Sequence, residues 1–189
     1  MNGQHIAIVV FSEGGTTRAM AQAIAEGSGG RVYDVTALSA ADWAALDAAG
    51  AIVMGTPTYM GGTPARFAEF IEVAAERWDK GLWRDKLAGG FTTAMHPSGD
   101  KLNVLVNMSI FAAQMGMIWV GAAETGAPVV TGNEGINADG SWLGVMGTQE
   151  AQLPERLSAG DLETARRYGL RLRGALNRWE GGAAPASAR

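Results

Sequence analysis

HIAIVVFSEGGTT, residues 5–17, runs directly into RAMAQAIAEG, residues 18–27, and the junction between the two decides how the chain folds. Ile6–Phe11 is an unbroken apolar, largely β-branched run of the kind buried on both faces of a parallel sheet. It stops at a polar turn with two glycines, and helical sequence follows at once. Ser12, Thr16 and Thr17 carry hydroxyls, Gly14 and Gly15 let the backbone come close, and the free N–H groups opening the next helix point the same way. Such a corner fits a phosphate. The same residues also suit an ordinary strand-to-helix turn with capping hydroxyls. Glu13 is unfavourable beside a phosphate unless it points to solvent.

The turn is not a Walker loop, because no Gly-Lys-Ser/Thr closes it. Nor is it the dinucleotide fingerprint, because Gly14-Gly15 lacks the spaced third glycine. A strand, a Ser/Thr/Gly turn and a helix at the start of the chain instead suit a flavodoxin-like sheet holding the single phosphate of FMN.

A length of 189 residues is enough for one domain with a full core, spanning 1–180, with GGAAPASAR (residues 181–189) as a disordered tail by composition. Fifteen Lys and Arg against nineteen Asp and Glu give a net charge of −4, which argues against nucleic acid or an anionic membrane as partner. Cysteine is absent and the only histidines are His5 and His96, so thiol chemistry is excluded and no metal site is expected. The N-terminus enters a strand without a signal-like segment, and a cytoplasmic location is expected. Val104–Val120 is apolar but interrupted by Asn107, Ser109, Gln114 and Gly116, which reads as a buried helix running into a strand.

Strands and helices alternate along the chain. Helices are expected at Thr16–Glu26, Ala40–Ala48, from near Pro64 (with Phe67, Ile71, Ala74 and Trp78 on one face), at Lys101–Met115 and at Leu162–Trp179. Strands are expected at Arg31–Val35, Gly50–Gly55, Leu87–Thr93 and Met117–Val120 besides the first. The pattern predicts a three-layer α/β/α sandwich, in which ligands sit beyond the carboxyl ends of the strands. Two further loops fall on that edge. TPTYMGGTP, residues 56–64, is fixed by two prolines and two glycines and offers amides and Tyr59 to a flat heterocycle; TTAMHPSGD, residues 92–100, is rich in turn formers.

FSEGGTT, GTPTYMGG and FTTAMHPSGDK, leading through FAAQMGMIWVG to DGSWLGVMG and AGDLETARRYG, together resemble the flavodoxin-like NAD(P)H:quinone oxidoreductases and FMN reductases related to the Trp-repressor-binding protein. The likeness covers residues 5–179. It implies a five-stranded parallel sheet of order 2-1-3-4-5, FMN as cofactor, NADH or NADPH as donor, a quinone or similar acceptor, and a homodimer or homotetramer. By the resemblance Ser12, Gly14, Gly15, Thr16 and Thr17 hold the FMN phosphate. Pro57, Thr58, Tyr59, Met60, Gly61 and Gly62 line the isoalloxazine, and Thr93, Ala94, Met95 and His96 contact its pyrimidine edge and the ribityl chain.

Relatives carry a histidine near the flavin where this chain has Met115. His96 is then the candidate proton donor or polar substrate contact, against the alternative of a solvated loop histidine, while Met115 suits the core. Trp78 and Trp119 read as packing residues, and the resemblance implies that Trp83 can approach a flavin pocket, in some relatives that of a neighbouring subunit. Residues 121–154 are too long for an inert loop and suggest a substrate lid or an oligomer contact around an edge strand Trp142–Met146. The arginines of the last helix read as a solvated face. The expected function is two-electron transfer from NAD(P)H to quinones. The alternatives are a flavodoxin-type electron carrier, disfavoured by the modest charge, and a non-catalytic FMN-binding regulatory module.

Overall fold

The computed structural model describes residues 5–181, so the expected tail, apart from Gly181, lies outside the described residues. β1 (Ile6–Val10) is buried along its whole length, as its lack of alternation requires. α1 (Thr16–Ser28) follows and ends at Gly29, whose φ of 64° gives the left-handed turn that stops a helix. β2 (Arg31–Asp34), α2 (Ala40–Ala48), β3 (Ala51–Pro57), α3 (Ala65–Ala74), β4 (Leu87–Ala94), α4 (Lys101–Gln114), β5 (Ile118–Trp119), β6 (Val145–Glu150), β7 (Leu153–Leu157) and α5 (Ala159–Gly181) complete the order. α2 starts in a capping box, in which Ser39 and Asp42 satisfy each other's free amides.

The sheet runs β2-β1-β3-β4-β6-β7, parallel as far as β6. The expected order is present with its fifth place divided. β5 pairs with the start of β4 at Leu87–Ala88, and β6 pairs with its end at Phe91–Ala94. Residues 120–144 leave the sheet between the two. β7 adds an antiparallel strand outside β6, so the segment Trp142–Met146 is no edge strand: it leads into β6, which has a neighbour on each side.

Two apolar cores flank the sheet. One packs Phe67, Phe70, Trp83, Leu105, Met108 and Phe111 beneath α2, α3 and α4; the other packs Met20, Ile24, Phe91, Tyr168, Leu172 and Leu176 beneath α1 and α5. α1 and α5 approach so closely that a Cβ on Gly27 would lie 1.9 Å from the Arg166 carbonyl oxygen, and one on Gly169 would lie 2.3 Å from that of Ile24. Only glycine permits that crossing.

Several tryptophan expectations change. Trp78 is not a packing residue, because α3 stops at Ala74, a 3-10 turn covers Ala75–Arg77, and the altered pitch turns the indole outward to 62% exposure. Trp83 is fully buried beside Phe70 and Phe111, with Nε1 donating to Asp47 Oδ1 at 2.8 Å. It precedes β4, at the end of the sheet opposite the ligand edge, and it does not approach a flavin pocket. Trp119 does pack, over Gly90, and donates to the Leu143 carbonyl at 2.7 Å. Trp179, near the end of α5, is half exposed.

Nor are the α5 arginines simply a solvated face. Arg167 reaches Glu124 at 3.2 Å and Asn133 Oδ1 at 3.1 Å, while Arg171 donates to the Gly121 carbonyl at 2.8 Å. These contacts hold residues 121–133 against α5. No helix among the described residues is long and apolar enough to cross a membrane.

Candidate functional site

The parallel register carries the ends of β1, β3 and β4 to one edge, where three loops meet. The first spans 11–15. Gly15, at φ 90°, caps α1 without a side-chain partner, and a Cβ at Gly14 or Gly15 would meet nothing within 4 Å. The first turn of α1 holds no acidic residue, so its N–H groups face an uncompensated positive pole. Ser12 Oγ accepts from the Arg18 amide at 3.2 Å. The Arg18 guanidinium pairs with Asp34 at the end of β2. Burial by itself would raise the Asp34 pKa, but hydrogen bonds from Thr36 and Arg18 outweigh it and hold the carboxyl below its usual range.

Thr16 and Thr17 are buried, and their hydroxyls have protein partners. Thr17 Oγ1 lies 2.7 Å from Thr93 Oγ1, which braces the first loop against the third. Thr16 Oγ1 lies 3.5 Å from Gln149 Nε2 of β6. Glu13 is exposed and accepts from the Tyr59 hydroxyl, so the carboxylate turns toward the second loop.

The second loop is a tight hairpin. Tyr59 and Gly62 exchange backbone hydrogen bonds of 3.0 and 2.9 Å around Met60 and Gly61, at φ 49° and 76°. Met60 is fully exposed at its tip. Asn103 of α4 donates to the Gly61 carbonyl at 2.8 Å and fixes the hairpin on that helix. Thr58 Oγ1 lies 2.8 Å from Thr92 Oγ1, joining β3 to β4. Thr56 Oγ1, immediately before Pro57, is buried and has no hydrogen-bond partner among the described residues.

In the third loop Thr93 and Ala94 are buried, whereas Met95 and His96 stand in solvent. Gly99 and Asp100 take positive φ of 51° and 53° and fold the loop back onto α4. Lys101, first in α4, is fully buried, and its ammonium bonds Asp139, Thr148 Oγ1 at 2.6 Å and the Gly147 carbonyl at 3.3 Å.

All fifteen residues singled out from the sequence therefore lie at one edge. The bracing residues Arg18, Asn103, Lys101 and Asp139 were not among them, nor was the buried, unpartnered Thr56. Lys101 did leave a signal: a cation in the first turn of a helix opposes the dipole and needs another partner. Met115 is buried in the core at the far end of α4, about 20 Å along the helix from Lys101.

These residues suit FMN. The unfilled glycine corner at a helix N-terminus offers amides and the Ser12 hydroxyl to a phosphate, and the hairpin and the third loop flank the space beyond it. A family model described as NADPH-dependent FMN reductase matches residues 34–131. The chain belongs to that family. As a member of this FMN reductase family it uses FMN, with NAD(P)H as donor.

Among its relatives is a protein named Flavodoxin FldP, from Pseudomonas aeruginosa, 34% identical over 170 residues, covering 87% of this chain and 92% of the relative. A protein named NAD(P)H dehydrogenase (quinone), from Geobacter sulfurreducens, is 30% identical over 140 residues, covering 70% of this chain and 66% of the relative. The crystal structure of a flavodoxin, WrbA-like protein from Agrobacterium tumefaciens superposes with a TM-score of 0.75 at 36% identity, over 92% of this chain and 98% of that one. Like the FMN reductase family, this chain is a flavodoxin-like α/β protein and an oxidoreductase. Among its described residues no group of three or more His, Asp or Glu side chains is placed to hold a metal.

Proposed function

We propose that this FMN reductase passes two electrons from NAD(P)H to quinones or similar small acceptors, as a cytoplasmic homodimer or homotetramer. The observation that carries the reading is the composition of the open edge. Met60, Met95, His96 and the half-exposed Tyr59 stand in solvent around the three loops. A flavin held by those loops would keep one face accessible to a nicotinamide and then to an acceptor.

FMN, when bound, supplies the redox chemistry. Ser12 and the N–H groups opening α1 would hold the phosphate, for which Gly14 and Gly15 leave room. Residues 57–62 would support the ring, with Tyr59 available to lie against it. Amides of residues 93–96 would face the pyrimidine edge of the ring, and preorganised donors there would be worth on the order of a few kcal/mol to the reduced cofactor. His96 gives its proton to the acceptor oxygen.

The name of the Pseudomonas relative favours a second reading, an electron carrier of the flavodoxin type. Steady-state oxidation of NADH and NADPH by FMN-loaded protein, with benzoquinone or menadione as acceptor, separates the two. Sustained turnover supports the reductase. Tight FMN binding without turnover refutes it.

A further inference from the structure

The 120–144 insertion and the flavin loop are distant in sequence but share one buried cation. We propose that Lys101 is a positioning residue for flavin binding, locking the 93–100 loop to the inserted segment through Asp139. The inference rests on the flavin site proposed above.

Lys101 closes the third loop from below. Its amide donates to the Ser98 carbonyl at 3.1 Å, and the turn is so tight that a Cβ at Gly99 would sit 2.7 Å from that of Ala94 and 3.8 Å from Lys101 Cγ. At the other end the ammonium reaches Asp139 in the insertion and Thr148 in β6. Thr148 accepts from the lysine and donates to Asp139 at 3.0 Å, so the three groups form a ring, and the lysine also donates to the Gly147 carbonyl at 3.3 Å.

A groove of about 970 Å³ lies above it, with Pro97, Ser98 and Asp100 on one side and Ala138, Gly140 and Trp142 on the other. Lys101 and Asp139 both line it, and their ion pair joins the two sides. Lys101 is fully buried and Asp139 nearly so, and a charge so placed is strongly destabilising once its partner is removed. The pair thus ties the 93–100 loop to the inserted segment.

The test separates positioning from simple stability. Lys101→Met leaves Asp139 buried without its cation and should lower the melting temperature. The double variant Lys101→Met/Asp139→Leu replaces the pair by apolar groups of similar size and should recover that temperature. It should still bind both FMN and riboflavin about tenfold more weakly than wild type, by the same factor, because a displaced loop loses the ring and not the phosphate. Amide hydrogen exchange in residues 94–100 should quicken in parallel. If the double variant binds both flavins like wild type, or exchange in that loop is unchanged, Lys101 only stabilises the fold and the proposal is overturned. Failure of the wild type to bind FMN would remove the flavin site itself, a separate result.

Discussion

The Tyr59 hydroxyl donates a 3.0 Å hydrogen bond to Glu13, tying the second loop of the site to the first. This contact accounts for a carboxylate beside a phosphate corner, since the Glu13 side chain is turned along the rim. Burial first, and Glu13 second, raise the Tyr59 pKa above 10.0. Replacing Glu13 with Gln should lower it toward that value, read from phenolate absorbance. It should also tighten FMN about twofold relative to riboflavin, the size of one exposed charge interaction.

Ser12 and Thr17 should separate in their effects. Ser12→Ala removes a hydroxyl from the phosphate corner and should weaken FMN by about 1.5 kcal/mol, a charge-assisted hydrogen bond, with little change for riboflavin. Thr17→Ala also breaks the contact with Thr93 and should weaken both ligands. Calorimetric titration of apoprotein with each flavin measures this. Equal losses for FMN and riboflavin in Ser12→Ala would end the phosphate assignment.

His96 stands exposed in the third loop, free to meet an acceptor. His96→Gln should slow quinone reduction by about 100-fold, the lower end of the range for general acid catalysis, while flavin reduction by NAD(P)H keeps its rate. Stopped-flow measurement of the two half-reactions decides it, and unchanged rates in both remove His96 from the mechanism.

Trp83 should matter for stability and not for turnover. Trp83→Phe loses the bond to Asp47 and opens space in the core, costing about 1–3 kcal/mol in urea unfolding. Its kcat/KM should equal that of the wild type, because the indole sits away from the ligand edge. A large fall in kcat/KM at full folding would return Trp83 to the site.

Two carboxyls of α5 act in opposite directions with pH. Hydrogen bonds from Arg166 and Arg167 hold Glu163 at about 2, below the ordinary 4.5. Its contribution is present above 4.5 and is lost as pH falls toward 2. Asp161 is raised above 3.8, chiefly by burial, so the folded state keeps its proton longer than the unfolded chain. Stability on its account falls as pH rises through its folded pKa. Acid unfolding curves should flatten at the low end for Glu163→Gln, whereas Asp161→Asn should remove the decline above 3.8.

Much of the site was legible in the chain, because its parts are local. The apolar run Ile6–Phe11 needs two covered faces, glycines stop α1, and proline-glycine loops after β3 and β4 must lie on one edge once the strands are parallel. Trp78 misled because a helical stripe assumes unbroken pitch, and a 3-10 turn ended it one turn early. Trp83 misled because its partner, Asp47, lies 36 residues earlier in the chain.

What the amino-acid order determined alone was the alternation of buried strand and amphipathic helix, and with it the place of the ligand edge. Local periodicity and turn chemistry suffice for that. Only the folded chain decided that the fifth strand is split, that β7 covers it, that Thr17 leans on Thr93, and that Lys101 joins Asp139. Each of these depends on contacts between residues far apart in the chain, formed only when the sheet brings its strand ends together, and no local pattern records them.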